Sequence, residues 1–183
     1  KKKISKNFFS KKEFGIPENS FIFCCFNQNY KINPKIFNIW MDLLLEVKNS
    51  TLWLIEDNEI SIKNLKKEAE KKMVNQNRII FAKRLPNEKH LARHKLADLF
   101  IDTFPYTAHT TGSDALWSGL PLVTLKGETF ASRVASSLLN AVNLPELVTT
   151  SYEEYKELAI KLSLNPKILQ TFKKKLEKNI SEK

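Results

Sequence analysis

The sequence predicts an α/β domain of the Rossmann-like, doubly wound kind: a parallel sheet with helices on both faces. Three observations carry that expectation. Short continuous apolar runs alternate with longer segments whose apolar residues recur at helical spacing. The runs end in polar loops rather than tight hairpin turns, as parallel strands joined by helical crossovers require. No internal repeat, low-complexity linker or second set of elements interrupts the alternation.

Taken in order, Phe14 to Glu18 is a short turn or helix end leading in from upstream, and Phe21 to Phe26 is the first strand. Pro34 opens a helix to about Val47, with Ile36, Phe37, Trp40, Leu43, Leu44 and Val47 at helical spacing. Thr51 to Ile55 is the second strand. A charged helix from about Ser61 to Met73 buries Ile62, Leu65 and Ala69. Arg78 to Phe81 forms the third strand and Glu88 to Lys95 a short helix. The run Leu96 to Ile101 is the fourth strand, and Leu120 to Leu125 the fifth. Thr129 to Asn140 reads as a helix, Glu146 to Val148 as a short edge strand, and Tyr152 to Leu162 as another helix. Lys167 to about Ile180 is a last amphipathic helix carrying Ile168, Leu169, Phe172 and Leu176. Three parts follow: an incoming segment over 1–20, the domain itself over 21–163, and the terminal helix over 164–183.

The stretch between the fourth and fifth strands, D-T-F-P-Y-T-A-H-T-T-G-S-D-A-L-W-S-G-L-P from Asp102 to Pro121, carries the densest signals. Pro105 and the small polar residues after it break regular structure. A helix beginning near Gly112 stops at Gly119, with Pro121 beyond. Thr111 and Asp114 fit a capping box, which by itself means only a capped helix. Position adds weight, because ligands of open parallel sheets sit outside the strands' carboxyl ends. A helix N-terminus there, with unsatisfied N–H donors and a partial positive charge, suits a phosphate. The same edge receives Gln28 and Lys31 after strand one and Ala82 to His90 after strand three. Taken singly, Lys31 reads as a solvated lysine and His109 as a loop histidine. Together the three loops form the layout a nucleotide needs.

Composition bounds the alternatives. Residues number 183, 42% of them hydrophobic and 10% aromatic, which fits one globular domain. No run of eighteen apolar residues exists to span a membrane, and the lysine-rich start lacks the apolar core of a secretory signal. The absence of an initial Met suggests a fragment or processed piece. The net charge of +10 is concentrated at the two ends: residues 1–20 and 164–183 each contribute +4, leaving +2 for the middle. Solvated lysine explains that distribution better than a nucleic-acid surface, since no basic stripe interleaves with aromatics. Cys24 and Cys25 point to opposite faces of one strand and read as buried filler, in keeping with a reducing cytoplasm.

Familiar chemistries are missing. Four glycines make neither a G-x-G-x-x-G turn nor a Walker A loop. No D-x-D is present to hold a divalent metal beside a diphosphate, and Glu56-Asp57-Asn58-Glu59 has no companion ligand. His90 and His94 stand four apart on a helix, but H-L-A-R-H lacks the glutamate of the zinc-protease pattern. Trp40, Trp53 and Trp117 read as core. Arg133 fits either a core-edge ion pair or the cleft.

The motif P-Y-x-A-H-T-T-x-S-D-A-L-W-x-G-L-P resembles the donor-binding segment of the O-linked N-acetylglucosamine transferase family, glycosyltransferase family 41. The resemblance extends through F-N-Q-N-Y-K-I (Phe26 to Ile32), R-I-I-F, H-L-A-R, T-F-A-S-R-V-A and L-P-E-L-V-T, from about Phe14 to Ser163. It implies the C-terminal lobe of a GT-B type, metal-independent transferase that takes a UDP-sugar, UDP-N-acetylglucosamine above all, and glycosylates protein serine or threonine. By the same resemblance Lys31, Thr110 and Thr111 contact the diphosphate, Lys31 as the catalytic cation. Gln28 lies nearby, His109 helps bind the donor, and Asp114 accepts the ribose hydroxyls. Backbone groups at Arg84 and Leu85 read the base, and His90 matches. The family's lysine beside the nucleoside is Asn87 here, a departure that bears on base affinity and identity. The acceptor lobe, catalytic base and tetratricopeptide repeats are expected upstream. Alternatives are a GDP-sugar donor, a nucleotide-binding module without transfer, and a basic nucleic-acid-binding domain.

Overall fold

The structure, a computed structural model, describes residues 2–6 and 9–181. Among these, six strands make one parallel sheet: β1 (Phe21–Cys25), β2 (Ser50–Ile55), β3 (Ile79–Ala82), β4 (Leu99–Ile101), β5 (Leu122–Leu125) and β6 (Val148–Thr149). Their spatial order is β3-β2-β1-β4-β5-β6, with Phe23 opposite both Leu52 and Leu99. The chain winds outward one way from β1 through β3, then crosses back to β4 and continues the other way. The β1/β4 seam is therefore the topological switch point, where the loops leaving two neighbouring strands diverge and open a crevice.

Among the described residues seven α-helices cover the two faces: α1 (Pro34–Glu46), α2 (Glu59–Lys71), α3 (Asn87–Arg93), α4 (Thr110–Trp117), α5 (Val134–Ala141), α6 (Tyr152–Leu164) and α7 (Pro166–Ser181). Local chemistry starts several of them. Asn33 accepts from the Ile36 N–H at 3.0 Å with Pro34 in the first turn, and Asn58 accepts from Ser61 at 2.8 Å. Ser151 does the same for Glu154 at 3.1 Å. Such caps satisfy donors the helix cannot, each worth about 1 kcal/mol. Central strands are buried on both sides, so Cys24 and Cys25 both vanish from solvent although they face opposite ways.

Several boundaries differ from the sequence reading. Leu96 closes a 3-10 turn over His94–Leu96, and β4 starts only at Leu99. Leu120 and Pro121 precede β5 because Gly119, at φ 81°, turns the chain out of α4 first. The helix expected from Thr129 begins as a 3-10 turn at Phe130–Ser132, and the edge strand shifts from Glu146 to Val148–Thr149 behind another such turn. Trp117 is not core: it is half-buried, and its indole N–H donates to the Lys2 carbonyl at 3.0 Å. Trp40 and Trp53 are fully buried.

A buried relay ties the helical layer to the crevice. The Trp40 indole donates to the Tyr155 hydroxyl at 3.1 Å, and that hydroxyl donates to the Asp102 carbonyl at 2.9 Å. Helices α1 and α6 thus hold the residue where β4 gives way to its loop.

Candidate functional site at the carboxyl edge of the sheet

Asp102 organises the loop after β4. Its Oδ1 accepts from the N–H groups of Thr103 (2.8 Å) and Ala108 (2.7 Å) and from the Asn27 amide (3.0 Å). Its Oδ2 accepts from the Thr124 hydroxyl at 2.7 Å. Burial pushes the carboxyl up to about 6, while the bonds from Thr124, Ala108, Asn27 and Thr103 pull the other way. Four donors, one from just after β1, two from the loop after β4 and one from β5, converge on one carboxylate, so the loop is tied to the sheet.

Asn27, fully buried just after β1, continues the network. Its amide also donates to the Thr103 hydroxyl at 2.7 Å, and its carbonyl oxygen accepts from the Thr111 hydroxyl. The expected capping box is thereby overturned. His109 occupies the N-cap position without a side-chain cap, and Thr111 sits inside the first turn with its hydroxyl spent on Asn27. Asp114 does not cap either; its carboxylate pairs with the Lys2 ammonium. The physical reason is the acceptor offered by Asn27 across the switch point, which no local pattern reveals. Without a side-chain cap, the N–H groups of Thr110, Thr111 and Gly112 head a helix whose first backbone acceptor, the His109 carbonyl, is taken by Ser113.

Lys31 reaches the same place from β1. Its ammonium donates to the Thr107 carbonyl at 3.1 Å and lies 3.7 Å from the centre of the Tyr106 ring. Burial lowers its pKa, and Asp102 and Cys25 oppose that. His109 Nε2 stands 3.5 Å from the Ala131 carbonyl, and its ring lies between Tyr106 and Phe130. Thr110 is exposed at the head of α4.

The other predicted residues line a neighbouring cleft of about 270 Å³. Gln28, Arg84, Leu85, Asn87, His90 and Thr111 meet there, and Arg84 donates to the Gln28 side-chain oxygen at 3.2 Å. Phe26, Ile55 and Arg93 complete the wall. Thr111 borders both places, so the cleft and the head of α4 are continuous. Arg133 is exposed. His90 and His94 pack edge to face, 4.8 Å apart, each with Nδ1 already engaged. Among the described residues no group of three or more His, Cys, Asp or Glu is arranged to hold a metal ion.

Sequence reasoning missed Asn27, Asp102, Thr107, Tyr106 and Arg93 as parts of the site. Four of them lie inside motifs read for their neighbours, N-Q-N-Y-K and D-T-F-P-Y-T. Arg93 ends H-L-A-R. The signal was polar residues next to apolar runs, which a parallel sheet buries only when they are paired.

A sheet of this order with its polar loops gathered at one edge is a Rossmann-like lobe of the kind found in GT-B glycosyltransferases. The model of the family described as glycosyl transferase family 41 matches residues 3–183, and the chain belongs to that family. It is 41% identical over 165 residues to the probable UDP-N-acetylglucosamine–peptide N-acetylglucosaminyltransferase SEC of Arabidopsis thaliana, covering 90% of this chain and 17% of the relative. To the UDP-N-acetylglucosamine–peptide N-acetylglucosaminyltransferase of Caenorhabditis elegans it is 36% identical, covering 91% and 14%. The chain thus spans about a sixth of the length of these relatives. In structure it superposes on a Thermobaculum terrenum O-GlcNAc transferase mutant with a TM-score of 0.86 and 31% identity, over 90% of this chain and 32% of that one. Staphylococcus aureus MnaA in its UDP co-structure shares the fold alone, at a TM-score of 0.60 and 14% identity.

Proposed function

We propose that this chain is the donor-binding half of a metal-independent transferase that binds a UDP-sugar, UDP-N-acetylglucosamine above all, for transfer to protein serine or threonine. The observation that carries the reading is the continuity of two unlike places. A cleft sized for a base, walled by Gln28, Arg84, Leu85 and His90, runs into the uncapped head of α4 beside the Lys31 ammonium. A nucleoside diphosphate has that polarity: a flat base at one end and two negative groups at the other.

The roles follow from charge. As the anomeric bond breaks, the departing diphosphate gains negative charge, and a positive field already in place stabilises the transition state more than the ground state. Lys31 supplies the cation, and Thr110, Thr111 and their N–H groups supply donors. His109 helps bind the donor, and Asp114 accepts the ribose hydroxyls once Lys2 yields its carboxylate. Arg84 and Leu85 offer backbone groups to the base, with no side chain from Asn87 matching the family's lysine. The acceptor groove and catalytic base belong to other parts of such an enzyme. Two free thiols buried in β1 fit a cytoplasmic protein, and no helix among the described residues is long and apolar enough to cross a membrane.

Parallel titrations with UDP, GDP and a short oligonucleotide test the reading. UDP binds, and binding persists in excess chelator; preference for GDP changes the donor, and preference for the oligonucleotide or a magnesium requirement overturns the assignment.

A further inference from the structure

We propose that Arg93 is a positioning residue for the nucleotide base: by donating into Nδ1 of His90 it locks that ring in the Nε2–H tautomer, so the cleft receives a fixed neutral donor. The inference rests on the donor-binding reading for its ligand, but its geometry stands apart from it.

Arg93 is a fully buried arginine at the end of α3. Its guanidinium lies over the Phe26 ring, 4.5 Å from its centre, and 5.9 Å from that of Trp53, so aromatic rings just after β1 and on β2 pack against it. Nη1 donates to the Lys83 carbonyl at 2.6 Å, which fixes its in-plane rotation. Nη2 then meets His90 Nδ1 at 2.5 Å. A guanidinium has five N–H donors and no acceptor, so Nδ1 must be the bare nitrogen. A neutral imidazole with bare Nδ1 carries its proton on Nε2. His94 is set the opposite way, because its Nδ1 faces the His90 carbonyl at 2.8 Å and a carbonyl only accepts.

The alternative protonation is disfavoured from every side. Arg93 on its own helix, Arg84 from the loop after β3 and the ring of His94 all face His90, and Phe26 packs against it at 5.2 Å. Burial first, then His94, Arg93 and Arg84, depress the ring to about 3. The ring is therefore neutral at working pH, and Arg93 decides which nitrogen faces outward with a proton. An unlocked ring would divide between two tautomers, one of which turns a lone pair toward a base carbonyl.

Nitrogen-15 spectra of labelled histidine in the nucleotide-free protein read the tautomer directly between pH 5 and 8. His90 should show bare Nδ1 and protonated Nε2 throughout; an Nδ1–H signal or a titration in that range overturns the lock. In UDP titrations Arg93→Met should weaken binding about tenfold, and Arg93→Lys, which restores a donor, should recover most of the loss. The loss should vanish when Arg93→Met is made in a His90→Phe background, because the arginine acts through the ring. Additive losses would put Arg93 on the nucleotide itself and overturn the relay. Should Arg93→Met not fold, the parent spectra and the lysine variant decide. A parent with the expected tautomer that binds no UDP upholds the lock and removes the donor reading instead.

Discussion

Lys31 is held by two weak partners, a single carbonyl and the face of Tyr106. Neither neutralises it, so the ammonium keeps its capacity for an anion. A charge-assisted contact to a diphosphate is worth about 1.5–3 kcal/mol. Thr110 and Thr111 offer less: Thr111 already donates to Asn27, and truncating either hydroxyl leaves the helix N–H groups in place. Lys31→Ala should therefore weaken UDP roughly ten- to a hundred-fold, more than either threonine change. It should also flatten the salt dependence of binding. Uridine, which lacks phosphates, should bind parent and variant alike in calorimetry; equal weakening of uridine would move the lysine away from the phosphates.

At the scale of elements, α4 matters because of how closely it lies on the sheet. A Cβ on Gly112 would stand 3.1 Å from that of Ala108 and 3.4 Å from Leu122 Cδ1 and Leu138 Cδ1. Glycine there lets the first turn approach β5 and α5 while its N–H groups stay at the edge. Gly112→Val should overpack this contact at a cost of about 1–3 kcal/mol, read as a lower urea midpoint. If α4 is displaced, UDP binding should fall further than stability alone explains. This element also shows what the sequence could disclose. Its existence, its stop at Gly119 and its place after the fourth strand followed from local residue chemistry. Its first turn did not, because the Thr111 hydroxyl chose an acceptor 84 positions away, just after β1, rather than its own helix. Trp117 likewise looked like core by spacing, yet its partner is the carbonyl of Lys2 in the incoming segment. The layout of three loops at one edge was legible because strand alternation dictates it. The buried network of Asn27, Asp102 and Thr124 was not, since pairing across the sheet leaves no local period.

At the scale of the whole molecule, three titratable groups around the crevice, His94 and Asp102 buried and His90 half-buried, couple stability to pH. Burial holds His90 down to about 3 and His94 to about 4, against 6.5 for the free side chain. Histidines depressed in this way contribute stability that is full above 6.5 and lost as pH falls toward their native values. Asp102 acts in the opposite sense. Its carboxyl is raised from 3.8 to about 6, so its contribution is full below 3.8 and lost as pH rises through 6. Between about pH 4.5 and 6 the unfolded chain thus binds two imidazolium protons that the native chain refuses, and the native chain keeps one carboxyl proton. The difference is roughly one proton, about 1.4 kcal/mol of added stability per unit rise in pH. Urea midpoints measured across that window should climb with pH in the parent. His94→Leu removes one of the two histidine terms and should leave the midpoint nearly level. Asp102→Asn removes the opposing term and should steepen the climb toward two protons, about 2.7 kcal/mol per unit, on a lower baseline because an amide nitrogen then faces N–H or hydroxyl donors. A parent whose midpoint falls from pH 4.5 to 6 would mean that Asp102, rather than the histidine pair beside the cleft, governs the pH response.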